Sequence, residues 1–214
     1  MNYYDHKIEK EISIGRKKPR QGRSEYTVGI ILDAAIRILK KDGYAKLNTN
    51  LVAEVAGVSI GTLYQYFQNK EAIVSAVWDR LSREMRELTM EKMSDVYHLS
   101  LSRILKEMIS YIVEAHRIDI KLHKILLTEV PQVELYYINK RAENENCQAL
   151  RELILFKKDE VRENLDIDLA LRLIHALIEN IIHNGVVSNT EILHSDQLID
   201  EMHYMVMAYL EPES

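Results

Sequence analysis

The residues best equipped for a specific interaction fall within one short stretch, NTNLVAEVAGVSIGTLYQYFQNK, residues 48–70. Thr62, Tyr64, Gln65 and Tyr66 follow one another there, three hydroxyls and an amide, with Lys70 just beyond. A glutamine amide offers one donor and one acceptor side by side, the pattern that pairs with the N6/N7 edge of adenine. An ammonium at the start of a helix, next to free backbone N–H groups, favours a phosphate. Gly61 costs helix propensity, about 1 kcal/mol relative to alanine, and is best explained by the close approach of another backbone, protein or nucleic acid.

Two short helices joined by a tight turn must position these groups. The first is expected from Asn48, as N-cap, to Ala56, with Val52, Ala53 and Ala56 inward. Gly57 ends it in the left-handed conformation that glycine adopts without steric cost, and Val58 plugs the corner. Ser59 caps a second helix ending near Phe67, with Ile60, Leu63 and Phe67 on the inward side. Thr62, Tyr64, Gln65 and Tyr66 are left on the outer side. Such a helix-turn-helix places its second helix in the major groove, where Thr62 and Gln65 face base edges.

The preceding segment carries an amphipathic stripe, Val28, Ile31, Leu32, Ala35 and Leu39, which predicts a helix over Glu25–Asp42 capped by Ser24 and stopped by Gly43. Its apolar face completes a three-helix head. Tyr44 either reaches a phosphate from the loop or packs over the helix end. A fourth helix, capped by Asn69 and running to the low nineties, leaves the head for the rest of the chain.

The motif AGVSIGTLYQYFQNKEAI resembles the signature of the tetracycline-repressor (TetR) family of bacterial transcription regulators, and RSEYTVGIILDAAIRILKKDGY resembles that family's first helix. The likeness covers Ser24 to Val77 and becomes only architectural beyond. It implies an N-terminal DNA-binding head on a variable helical body that binds a small effector, in a homodimer released from a palindromic operator. It also implies that Tyr64 and Tyr66 give their hydroxyls mainly to phosphates, with Thr49, Ser59 and Lys70 helping.

Charge is distributed in agreement with a head and a body. The 214-residue chain has a net charge of −5, yet residues 1–80 hold 13 Lys/Arg against 9 Asp/Glu, while the remainder holds 15 against 24. Residues 16–23, RKKPRQGR, form a basic stretch expected to contact phosphates or enter the minor groove, Arg20 and Arg23 among them. For residues 1–15 a solubilising tail is an equal alternative. The expected domains are a basic arm at 1–23, the helix-turn-helix unit at 24–69 and an effector-binding and dimerisation body at 70–214.

Only 7 Gly and 3 Pro occur, which favours helices throughout, and an all-α fold of about nine helices is expected. The rest of the chain reads as helices at Leu99–His116, Asp119–Thr128, from Pro131 to about Lys158, Asp166–Val187 and Ser195–Leu210, with Asp166 and Ser195 as caps. The single Cys147 excludes an internal disulfide and fits a reducing cytosol. Neither an apolar leader nor an uninterrupted apolar run of about 20 residues is visible, so a cytoplasmic location without a membrane span is expected.

Enzyme signatures are not recognisable: there is no glycine-rich phosphate loop, CxxC, HExxH or GxSxG. No cofactor or metal is expected; His175 and His183 lie two turns apart and His116 and His123 flank a helix junction, without a carboxylate evidently placed beside them. In the body, Trp78, Tyr111, His175 and Asn180 are the candidate effector contacts, on the pocket that the resemblance implies. The segment Leu169–Val187 is apolar nearly all round, so one side needs a partner; Leu173, Leu177 and Ile181, with Met202 and Met205 of the last helix, are the candidate dimer contacts. The function expected is a DNA-binding regulator, a homodimeric repressor released by a small molecule. A helical carrier or interaction protein without DNA binding is the alternative, but it has no use for exposed Tyr64, Gln65 and Tyr66.

Overall fold

The computed structural model describes residues 23–92, 98–131 and 147–211; residues 1–22, 93–97, 132–146 and 212–214, with the expected arm and the first half of the helix expected from Pro131, lie outside them. Among the described residues there are nine α-helical stretches, three 3-10 turns and no strand: α1 Arg23–Asp42, α2 Thr49–Ala56, α3 Ile60–Tyr66, α4 Lys70–Lys92, α5 Leu101–His116, α6 Ile120–Glu129, α7 at 147–156, α8 Ile167–Ser188 and α9 Asp196–Leu210. The 3-10 turns are Tyr44–Lys46, Lys158–Glu160 and Thr190–His194. No helix is long and apolar enough to cross a membrane among these residues.

The described residues divide into two compact units, the first holding those up to Leu81 together with the end of α6 from Thr128, the second holding those from Ser82 to Leu127 and from Cys147 onward. In the first, α1 packs on α2 and α2 on α3. Ile31, Leu39, Leu47, Leu63 and Ile73 are fully enclosed, each burial contributing about 1.5–3 kcal/mol. The first turns of α4 belong to this unit because Ile73, Val74, Val77, Trp78 and Leu81 are buried within it, and Arg80 pairs with Asp33 of α1 at 2.6 Å.

Most helix ends follow their side-chain chemistry. Asn48 accepts from Leu51 N–H at 2.9 Å, Ser59 from Thr62 N–H at 3.0 Å, Asn69 from Ala72 N–H at 2.8 Å and Asp166 from Leu169 N–H at 3.0 Å, each cap worth about 1 kcal/mol. Two expected caps differ. α1 is already helical at Arg23, so Ser24 lies within the helix rather than capping it, and its hydroxyl donates to Tyr66 Oη at 3.4 Å. Ser195 holds the N-cap position of α9 without a side-chain cap bond.

In the second unit one core joins α5 (Leu101, Ile104, Leu105, Ile109, Val113), α7 (Leu150, Leu153, Ile154), α8 (Leu171, Ile174, Ile178, Ile182, Val186) and α9 (Met202, Val206, Met207, Leu210). The α8 set recurs every three or four residues, the inward stripe of an amphipathic helix. At Gly185 a Cβ would lie 2.7 Å from Leu193 Cδ2, so a glycine lets the Thr190–His194 turn fold back onto α8.

Candidate nucleic-acid interface

Helices α2 and α3 are held at their corner by Gly57 in the left-handed conformation (φ 68°), with Val58 N–H donating to Ala53 carbonyl at 3.0 Å. Leu63 and Phe67 anchor α3 inward. Ile60 does not join them: it is 39% exposed, because it stands at the first position of a seven-residue helix, clear of the turn that would cover it. The recognition face is therefore wider and more apolar at its start than the periodicity suggested.

On the outer side, Tyr64, Gln65 and Gly61 are exposed and Thr62 and Tyr66 half-buried. The hydroxyls are already ordered by one another. Tyr64 Oη lies 3.2 Å from Thr49 Oγ1, so the phenol of α3 is tethered to the start of α2. Ser59 Oγ, while capping α3, also bonds Thr62 Oγ1 at 2.8 Å. Tyr66 Oη receives the Ser24 hydroxyl, which ties α3 to α1. Such cross-bonds restrict rotamers before any ligand arrives and reduce the ordering cost on binding. Gln65 is the exposed amide in the middle of this face, with room to present both donor and acceptor outward.

Lys70, in the first turn of α4, holds its Nζ 3.9 Å from the ring centroid of Tyr44, a cation–π contact. Tyr44 itself is buried, which decides between the two expectations for it in favour of packing. Its backbone N–H donates to the Glu129 carboxylate at 2.8 Å, and at Gly43 (φ 79°) a Cβ would come within 2.7 Å of the same carboxylate. Arg20 and the side chain of Arg23 lie outside the described residues.

Comparison with known proteins decides what this head belongs to. The profile of bacterial regulatory proteins of the tetR family matches residues 31–77, and that of the tetracyclin repressor-like C-terminal domain matches residues 100–210. The chain belongs to the TetR family. It is a DNA-binding transcriptional regulator with a helix-turn-helix head and a helical body. A fatty acid metabolism regulator protein of Bacillus subtilis is 25% identical over 79% of this TetR-family chain and 88% of its own length. Among solved structures, a fatty acid degradation regulator, FadR, from Bacillus halodurans superposes with a TM-score of 0.68 at 22% identity, over 90% of this chain and 97% of that one. The repressor NalD of a Pseudomonas aeruginosa efflux pump gives 0.67 at 20% identity, over 88% and 98%.

The TetR body distributes the other expected residues unequally. Trp78 is buried in the first unit. Tyr111 is half-buried in the second, its ring 5.0 Å from Lys92 Nζ, and its hydroxyl is raised above the usual tyrosine range by hydrogen bonding to Glu107. His175 is half-buried. Asn180 is exposed rather than interior, its amide donating back to Ala176 carbonyl at 2.7 Å, because position 180 falls on the side of α8 opposite the core residues Ile178 and Ile182. Leu173 and Met205 are exposed, Leu177 and Ile181 half-buried. Met202 departs from the expected set: it is fully enclosed in its own chain's core.

The body also contains what the sequence reading missed. His116, the last residue of α5, His123 of α6 and His183 of α8 converge, with ring centroids 5.0–5.6 Å apart. Glu179, one turn before His183, places its carboxylate 3.0 Å from His183 Nε2 and 3.9 Å from His116 Nε2. The carboxylate absent from the sequence reading is therefore present, and the Glu179–His183 spacing of four residues was its visible signal. Burial pushes His116 down, and pushes His123 well down, from the ordinary histidine value. Burial opposes ionisation of Glu179 too, but the His183 hydrogen bond and the neighbouring imidazoles outweigh it and hold the carboxyl at about 2.

Proposed function

We propose that this regulator is a homodimeric repressor released from a palindromic operator by a small-molecule effector. The observation that carries the reading is the outer face of α3. Thr62, Tyr64 and Gln65 stand outward on a helix locked by the Ser59 cap, the Gly57 corner and the Tyr64–Thr49 bond. Gln65 and Thr62 read base edges, whereas Tyr64, Tyr66, Thr49, Ser59 and Lys70 meet phosphates and set the register. Gly61 lets the DNA backbone come close, and Arg20 and Arg23 add contacts from the arm. The head comprises the helix-turn-helix unit of residues 24–69 together with the first turns of α4, and the rest of the chain supplies the effector-binding and dimerisation body.

Dimerisation is supported by α8 and α9. Leu169 and Leu173 are about half exposed, Tyr204 is 70% exposed and Met205 39%, an apolar surface that a second copy covers with two-fold symmetry. Two joined heads then reach successive major grooves about 34–36 Å apart. For the effector, Tyr111 and His175 are the polar groups of the second unit available as anchors. A solved relative of this fold, SmeT, carries triclosan, with a TM-score of 0.64 at 18% identity over 87% of this chain and 92% of that one. The effector acts by binding the two states of the body unequally, and α4, continuous from one unit into the other, transmits the difference.

The test is a mobility-shift assay on palindromic DNA beside the protein's own coding sequence, with sedimentation of the free protein. A retarded complex of two chains per palindrome is expected. Sedimentation as a 25.0 kDa monomer at micromolar concentration, or equal affinity for scrambled DNA, overturns the reading.

A further inference from the structure

The second unit holds a cluster that recognition of DNA does not use. Three imidazoles from three helices meet at the junction of α5, α6 and α8, where one nitrogen from each of His116, His123 and His183 lies within 4.8 Å of the others, and the Glu179 carboxylate stands beside two of them, His183 and His116. We propose that His116, His123, His183 and Glu179 form a closed, four-donor binding site for a divalent zinc-class ion.

The donor set argues for that class. Nitrogen and carboxylate oxygen without sulfur suit Zn²⁺ and its neighbours in the first transition row, not Ca²⁺ or Mg²⁺, which take oxygen ligands. Three histidines and one carboxylate fill a tetrahedral shell completely, as in sites that hold structure rather than catalyse. With metal–nitrogen bonds of about 2.0–2.1 Å, the nitrogens of a tetrahedral site stand about 3.3 Å apart. Closing from within 4.8 Å requires ring shifts of roughly an ångström, within the reach of side-chain rotation.

The setting of His116 points the same way. Its Nδ1 lies 2.8 Å from the carbonyl of Ile112, an acceptor that requires the N–H on that nitrogen. The Nε2 of the neutral ring therefore carries the lone pair, and this atom is buried without a hydrogen-bond partner. A backbone carbonyl that fixes the tautomer and aims the other nitrogen is the usual outer support of a metal-bound histidine. The ring as a whole is only 3% exposed, and an orphaned polar atom there costs stability unless something fills the gap. The carboxylate of Glu179 faces that lone pair from 3.9 Å; two electron-rich atoms facing each other across such a gap are reconciled by a cation between them. Glu179 and His183 are each 23% exposed, which leaves an entry path on the α8 side.

A purely proton-filled network is the competing account, with His183 bonded to Glu179 and the other rings neutral. Titrating Zn²⁺ into full-length, chelator-stripped protein against a competing indicator separates the two. One ion per chain with sub-micromolar affinity is expected, together with a rise in the unfolding midpoint that grows with free Zn²⁺. His183→Ala and Glu179→Gln should each weaken binding at least tenfold, whereas His194→Ala, an exposed histidine elsewhere in the chain, should leave it unchanged. Co²⁺ in the unaltered protein should give the intense visible bands of a tetrahedral site, a readout that stands even if a variant misfolds. Affinity no tighter than about 100 μM, an equal loss in His194→Ala, or the pale octahedral spectrum of Co²⁺ would overturn the proposal.

Discussion

The two units arrange their polar groups in opposite ways. In the first, the groups that face outward come from Thr49 to Lys70, a contiguous run on two short helices, and they bond to one another at the surface: Thr49 to Tyr64, Ser59 to Thr62. In the second, a polar cluster reaches from the buried His116 and His123 to the half-buried Glu179 and His183, on three helices. Surface groups ordered in advance suit a partner as large as DNA, for which position and register matter more than enclosure. Enclosed donors converging on one point suit a small charged occupant. One chain thus reads a large ligand with local sequence and prepares for a small one with tertiary structure.

The sharpest way to break this comparison is to separate the copies of the chain while leaving each head intact. Leu173→Arg puts a charge on the exposed apolar face of α8 without touching α3. The second binding event then ceases to be intramolecular, and affinity for the full palindrome should fall by about 10²–10⁴-fold toward that of a half-site. Sedimentation and shift assays on whole and half sites read it. If α8 and α9 do not form the interface, the variant stays dimeric and binds normally.

Next in size is the support beneath the recognition face. Leu63 is fully enclosed between α3 and its neighbours, and Leu63→Ala should cost about 2–5 kcal/mol from lost burial plus the cavity left behind. Denaturant unfolding measures the cost, and operator binding should fall with it. Zinc uptake by the second unit should persist in this variant at temperatures where the protein remains folded.

That prediction rests on a residue the sequence identified correctly, and the reasons are local. Asn48, Gly57, Ser59, Leu63 and Phe67 act on neighbours within a few positions, so helical spacing and capping rules describe them. Ile60 misled because a helix of two turns has too little neighbour to bury its first residue. Ser24 misled because the chain is already helical at Arg23, ahead of the expected cap. Deeper in the chain the rules lose their hold. Asn180 and Met202 exchanged expected environments, solvent for one and core for the other, since their surroundings depend on which side of α8 or α9 faces α5. The histidine cluster needs positions 116, 123 and 183 brought together, and no local periodicity encodes that. Only the i,i+4 pair Glu179–His183 was visible in advance.

Within the recognition face, Gln65 tests whether α3 reads bases. Gln65→Ala should relax preference at one position in each half-site and cost roughly 1–3 kcal/mol on the preferred sequence. Selection of binding sites from random DNA by both proteins measures it. Identical base preferences would confine Gln65 to spacing or phosphate contact.

The smallest effect belongs to Lys70, where two roles overlap. Its Nζ stands over the Tyr44 ring at 3.9 Å, an interaction worth about 0.5–1 kcal/mol at a partly exposed site. The same ammonium sits in the first turn of α4, where helix N-terminus and side chain together attract a phosphate. Lys70→Ala removes both, Lys70→Arg keeps both a charge and a cation–π donor, and Lys70→Met keeps the apolar stem but no charge. A phosphate contact gives a defined signature. The slope of log affinity against log salt should become shallower by about one unit in Lys70→Ala and Lys70→Met, equally on all DNA sequences, and should return in Lys70→Arg. A role confined to packing on Tyr44 lowers thermal stability in Lys70→Ala yet leaves the salt slope of every variant unchanged. The comparison of Met with Ala isolates the stem: the two share one salt slope, and any further loss of stability in Lys70→Ala measures the packing of the stem alone.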